Sequence, residues 1–139
     1  MWERKVSRKT TAKKEQIWKL WSDVTHWKTW DEELEYSELF GDFKTGTKGV
    51  LKPIAGPETK FVITSCDYLA GFSDRSFLPL CKMDFIHMLK ETNGGLEITH
   101  KVQITGALTF LFSKKIGKKV EAGLPKSVEK LIELAEKGD

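Results

Sequence analysis

The sequence predicts an α+β fold. A curved antiparallel sheet of about six to seven strands wraps on a long C-terminal helix, and two short helices follow the first strand. Three observations lead there. The middle of the 139-residue chain is a succession of short alternating segments separated by glycine, proline and asparagine turns. From Leu108 to Glu136 apolar residues recur at helical spacing. Residues 17–30 hold four of the five tryptophans, and their pattern is helical too.

Trp2 to Thr10 alternates loosely, with Trp2, Arg4, Val6 and Arg8 on one side. Its many charges suit an edge strand. Thr10 or Thr11 is the expected cap of the next helix. Apolar Ile17, Leu20, Trp21 and Val24 define that helix, Ser22-Asp23 interrupts it, and a second short turn carries Trp27 and Trp30 three residues apart. Leu34 to Phe40 reads as a strand with Leu34, Tyr36, Glu38 and Phe40 on one face. Lys48 to Pro53 is a short strand. Thr59 to Cys66 places Phe61, Ile63 and Ser65 on one face and Val62, Thr64 and Cys66 on the other. Phe72 to Leu78 is another strand, ended by Pro79.

The clearest local pattern is a hairpin. Leu80 to Glu91 sets Cys81, Met83, Phe85, His87 and Leu89 on one face. Thr92-Asn93-Gly94-Gly95 is the turn, expected as type I′ because Asn-Gly tolerates two positive φ angles. Leu96 to Thr105 sets Leu96, Ile98, His100, Val102 and Ile104 against polar Glu97, Thr99, Lys101 and Gln103. The final helix carries Gly123 and Pro125, so a kink is expected near 121–125.

The totals are those of an ordinary globular domain, and 1–139 is read as one domain. Apolar residues make up 40% and charged residues 31%. No apolar run reaches the roughly 18 residues of a membrane span. The charged start Met1-Trp2-Glu3-Arg4-Lys5 lacks a secretory apolar region, so a cytoplasmic location is expected. Cys66 and Cys81 are too few for a disulfide framework or zinc knuckle. A net charge of +3 does not argue for nucleic acid.

A sheet curled around a helix leaves room between them for a small apolar ligand. On residues, the chain resembles the START-like, or helix-grip (SRPBCC), superfamily. The branch is that of polyketide cyclase/dehydrase and lipid-transport-like proteins. Ile17-Trp18 through Trp21-Ser22-Asp23-Val24, then Trp27 and Trp30, carry the resemblance. It continues through Gly41, Gly46, Met83-x-Phe85-x-His87-x-Leu89, Gly94-Gly95, Ile98-Thr99-His100-x-Val102, Gly106, Leu124-Pro125 and Leu131. The resemblance covers essentially the whole chain. It implies a helix-grip fold and ligand binding, and it names no cargo.

A two-residue turn at Asn93-Gly94 pairs residues whose numbers sum to 187, so His87 falls opposite His100 on the apolar face. Buried imidazoles need partners. They can find them in each other, in Cys81, Tyr36 or water, or in a ligand carbonyl or hydroxyl. A general acid/base role suits histidine, yet no carboxylate clearly joins this face. No third ligand completes a metal site, and no cofactor is expected.

The expected function is binding or transport of a hydrophobic small molecule, such as a lipid, polyketide or aromatic metabolite. The candidate lining is Trp30, Phe61, Ile63, Phe85, His87, His100, Val102, Val120 and Leu124. Two alternatives stand. One is a cyclase/dehydrase-like enzyme using His87 or His100 as general acid/base, a reaction class that the resemblance supplies. The other is a protein–protein module, which requires a large exposed apolar patch. Lys114, Lys115, Lys118 and Lys119 form a basic patch that could touch an anionic membrane surface. A monomer is expected.

Overall fold

A computed structural model describes residues 1–138. Seven antiparallel strands form a single sheet in the order β1-β7-β6-β5-β4-β3-β2. They are β1 (Trp2–Thr10), β2 (Leu34–Leu39), β3 (Lys48–Pro53), β4 (Thr59–Asp67), β5 (Gly71–Leu78), β6 (Cys81–Thr92) and β7 (Gly95–Gly106). Charged β1 is an edge strand, as its composition implied. Helix α1 (Lys14–Ser22) and a 3₁₀ turn (Val24–Thr29) follow β1, and α2 (Thr109–Lys115) and α3 (Gly117–Lys137) close the chain.

The apolar stripe from 108 to 136 is therefore two helices. The break falls at Ile116, and 121–125, the expected site of a kink, lies within α3. Ile116, a turn residue with φ −119° and ψ −15°, separates the two helices and donates its N–H to Phe112 O at 2.9 Å, while Pro125 lies inside α3. Gly117 packs against the Trp2 indole, where a Cβ would lie 3.1 Å from the ring. That contact gives a physical reason for the small residue at the junction.

Three further expectations are corrected. Thr10 and Thr11 do not cap α1. Lys13 occupies that position and donates its backbone N–H to Gln16 Oε1 at 2.8 Å. Thr10 instead donates its hydroxyl to Glu136 at 2.7 Å, tying β1 to the end of α3. In β2 the register shifts between Leu34 and Tyr36, so Glu35 is an extra residue. Beyond it the faces exchange: Ser37 is buried, and Tyr36 and Phe40 are exposed. In β4 a shift between Ile63 and Ser65 swings Cys66 inward, where its thiol reaches Phe43 O.

The β6–β7 turn keeps its register but not its expected type. Neither Asn93 nor Gly94 is left-handed; Gly95 takes the positive φ, +131°. Thr92 still pairs with Gly95, and His87 with His100.

The core lies between the concave face of the sheet and the helices. Trp21, Phe61, Phe72, Ile63 and Leu131 are fully buried there. Each such side chain contributes roughly 1.5–3 kcal/mol relative to exposure. Trp27 donates its indole N–H to Trp21 O at 2.8 Å, and Ser37 donates to Val24 O at 2.6 Å. These two bonds fix the 3₁₀ turn over one end of the sheet.

Candidate functional site

Alternation along β6 and β7 directs both His87 and His100 onto the concave face. Their rings meet edge to face with centroids 4.7 Å apart. Each is anchored by a different element. His87 Nδ1 lies 3.2 Å from Phe72 O on β5, and its ring stacks on Phe72 at 4.0 Å with planes 4° apart. Trp21 on α1 donates its indole N–H to His100 Nε2 at 3.3 Å. The ring of Trp30 lies 5.7 Å from that of His100.

These bonds set the tautomers. A carbonyl only accepts, so His87 carries its proton on Nδ1. An indole N–H only donates, so His100 Nε2 is bare and its proton sits on Nδ1. Burial pushes the His87 pKa down to about 3, against the opposing pull of the Phe72 carbonyl. Burial, and then the neighbouring His87, holds His100 well below the usual imidazole range. Both rings are neutral near pH 7. One acceptor, His87 Nε2, and one donor, His100 Nδ1–H, carry no hydrogen bond among the described residues.

A carboxylate does join this face. Asp74 on β5 points inward, is 2% exposed, and pairs across the sheet with Ile63 and Phe85. Burial raises its pKa well above the carboxylate range, and Asp84 and Asp31 raise it further. Asp31 is pushed up to about 6 by burial; a hydrogen bond from Glu33 N–H pulls the other way, and Glu33 and Glu32 add repulsion. On the opposite face of the sheet Asp84 is held by Arg75 at 2.7 Å. Ser76 Oγ and Trp30 Nε1 are buried with no partner among the described residues.

The sequence-derived lining comes together. Trp30, Phe61, Ile63, Val102 and Leu124 belong to one buried cluster, with Phe85 and Val120 half-buried against it. His87 and His100 are buried beside it. Aromatic rings occupy the centre: Trp21 lies 5.5 Å and Trp27 5.9 Å from Phe72. Two surface concavities lie elsewhere. One follows Phe40 to Lys48, and the other is formed by the β5–β6 turn and the end of β7. Among the described residues no cluster of three His, Cys, Asp or Glu could hold a metal. Among the same residues no helix is long and apolar enough to cross a membrane.

Asp74 and Trp21 are the side chains at the histidine pair and on its face that pattern reading did not assign to the site. The signal for Asp74 was present. A tight turn at Pro79-Leu80 pairs residues whose numbers sum to 159, which sets Phe72 against His87 and Asp74 against Phe85.

No protein-family model matches the chain, and no curated protein matches it. Solved structures do. Protein MLL2253 from Mesorhizobium loti is 14% identical, with a TM-score of 0.77 over 99% of both chains. The di-domain ARO/CYC StfQ from the steffimycin biosynthetic pathway is 9% identical, with a TM-score of 0.80 over 97% of this chain and 51% of its own. Ara h 8.0201 is 12% identical, with a TM-score of 0.68 over 95% of this chain and 98% of its own. The fold is the α+β helix-grip fold: a curled antiparallel sheet with short helices after its first strand and a long helix at the C-terminal end.

Proposed function

Starting from this helix-grip fold, we propose that the protein binds a small, largely apolar molecule between the concave sheet and α3. The molecule's single polar handle docks at the histidine pair. One observation carries this reading. An aromatic interior presents a free acceptor, His87 Nε2, beside a free donor, His100 Nδ1–H. A hydroxyl or enol satisfies both at once, whereas a hydrocarbon satisfies neither. Half-buried Phe85 and Val120 border this interior, and the rings of Trp27 and Trp30 shift to admit the ligand while Trp21 keeps its bond to His100.

The test is organic extraction of the purified protein followed by mass spectrometry. A stoichiometric hydroxylated aromatic or polyketide-like compound is expected. A bare chain, together with no thermal shift across a panel of phenols, sterols and fatty alcohols, counts against the reading.

Asp74 favours a second reading, in which the same interior does chemistry. An inward carboxyl held in its protonated form can donate to a ligand carbonyl while a neutral imidazole accepts a proton. StfQ is described as an ARO/CYC, which makes cyclisation of a polyketone the reaction class to assay. Full turnover in both His87→Gln and His100→Gln would exclude this reading.

A further inference from the structure

At one end of the sheet the molecule leaves apolar surface uncovered. Helix α2 buries none of its residues. Phe110 is 66% exposed and Leu111 42%. Beside them the β5–β6 turn presents Leu80, 73% exposed, and Phe77, 49% exposed. The two elements are joined: Leu108 donates its N–H to Leu80 O at 3.4 Å, and Cys81 Sγ lies 3.8 Å from Thr109 Oγ1. Leu80 also holds a left-handed backbone, φ +51°. That conformation is costly for an apolar L-residue, and the exposed side chain packs too little to offset it.

The two segments that form this tip carry charge of one sign. From Ser76 to Met83, and from Ile104 to Val120, there is no Asp or Glu. Lys82, Lys114, Lys115, Lys118 and Lys119 are all exposed, and none forms an ion pair among the described residues.

We propose that the β5–β6 turn and α2 together dock on a lipid bilayer surface bearing anionic headgroups. Leu80, Phe110 and Leu111 enter the acyl boundary, and the lysines lie among the headgroups. Apolar side chains projecting separately from a turn tip and a short helix, ringed by lysines, suit a deformable interface. Each lysine near an anionic surface strengthens partitioning roughly fivefold. The sequence pointed to four of these lysines. The structure adds Lys82 and the apolar tip, half of which comes from a distant hairpin. This inference requires no interior ligand, so it stands or falls apart from the reading above.

The experiment is co-sedimentation of the full chain with vesicles of phosphatidylcholine, with and without phosphatidylglycerol, at low and high salt. Binding is expected only with phosphatidylglycerol, and salt weakens it. Lys114→Gln with Lys115→Gln lowers partitioning roughly tenfold to thirtyfold. Leu80→Asn, which suits the left-handed backbone, and Phe110→Ser each lower it several-fold while circular dichroism stays unchanged and Tm does not fall. A Phe110→Trp probe shifts its emission to the blue on binding. Three results overturn the proposal: no sedimentation with anionic vesicles at low salt; sedimentation unaffected by Leu80→Asn and Phe110→Ser; or capture of this face by an acidic protein without any vesicle binding.

Discussion

Trp21 donates its indole N–H to His100 Nε2 across 3.3 Å, joining the first helix to the centre of the sheet. Burial, and then the neighbouring His87, hold the histidine neutral, and the bond from Trp21 turns its one proton toward the interior. His87, directly opposite, is fixed in the same tautomer by Phe72 O. Two imidazoles that would otherwise be interchangeable thus become a donor and an acceptor.

Trp21→Phe removes that donor and leaves His100 Nε2 buried and unpaired. A loss of about 1–3 kcal/mol is expected in urea unfolding. Nitrogen-15 spectra of labelled histidine should show both buried rings protonated on Nδ1 in the wild type, with the preference of His100 relaxed in the variant. A stability unchanged by the substitution, or an Nε2–H signal for wild-type His100, refutes the hydrogen bond.

The interior carboxyls and histidines pull stability in opposite directions with pH. Asp31 is raised from 3.8 to about 6. Between those values the folded chain keeps a proton that the unfolded chain releases. Its stabilisation is full below the unfolded pKa and is lost as pH rises through 6. Asp74, raised by burial and then by Asp84 and Asp31, behaves alike. Asp31→Asn and Asp74→Asn should therefore raise Tm near pH ~8 and leave it unchanged near pH ~3. His87 is lowered to about 3. Its contribution is complete above the unfolded value of about 6.5 and falls by about 1.4 kcal/mol per pH unit below it. His87→Gln should flatten that acid limb. Thermal unfolding of the four proteins from acid to base checks both signs.

Gly49 on β3 is a packing requirement. A Cβ there would meet Glu38 O and stand 2.8 Å from the ring of Phe61, which β4 buries beside Trp27. Gly49→Ala should cost roughly 1–3 kcal/mol. The paired variant Gly49→Ala/Phe61→Leu should recover part of that loss, because the ring is the movable half of the clash. No recovery would place the whole conflict on the backbone of β2.

Where two strands meet through a tight turn, sequence alone sufficed. The Asn93-Gly94 turn and the alternation on either side placed His87 against His100, and the structure has that pair. The same arithmetic at Pro79-Leu80 would have turned Asp74 inward. Polar residues on both faces of β5 hid its alternation: Asp74 and Ser76 are buried on one face, while Ser73 and Arg75 lie on the other, where Arg75 bonds Asp84. The bulges at Glu35 and Thr64 left no local mark: each adds one residue that only pairing with the next strand reveals. The helix break at Ile116 was equally silent, since the apolar period continues through it and the contact of Gly117 with Trp2 is made by the opposite end of the chain. The candidate residues fall in or against the buried core because burial follows pattern. The bonds that give the histidines their separate roles come from Trp21 and Phe72, which spacing does not connect to them.

In the proposed complex the ligand's polar handle meets both His87 and His100. Calorimetric titration of the compound extracted from the protein, against the same compound with its hydroxyl methylated, measures that contact directly. Methylation removes the proton offered to His87 Nε2 and crowds His100, so a loss of roughly tenfold or more in affinity is predicted. The loss should disappear in a His87→Leu/His100→Leu protein. Equal affinity of the two compounds for the wild type would contradict the account.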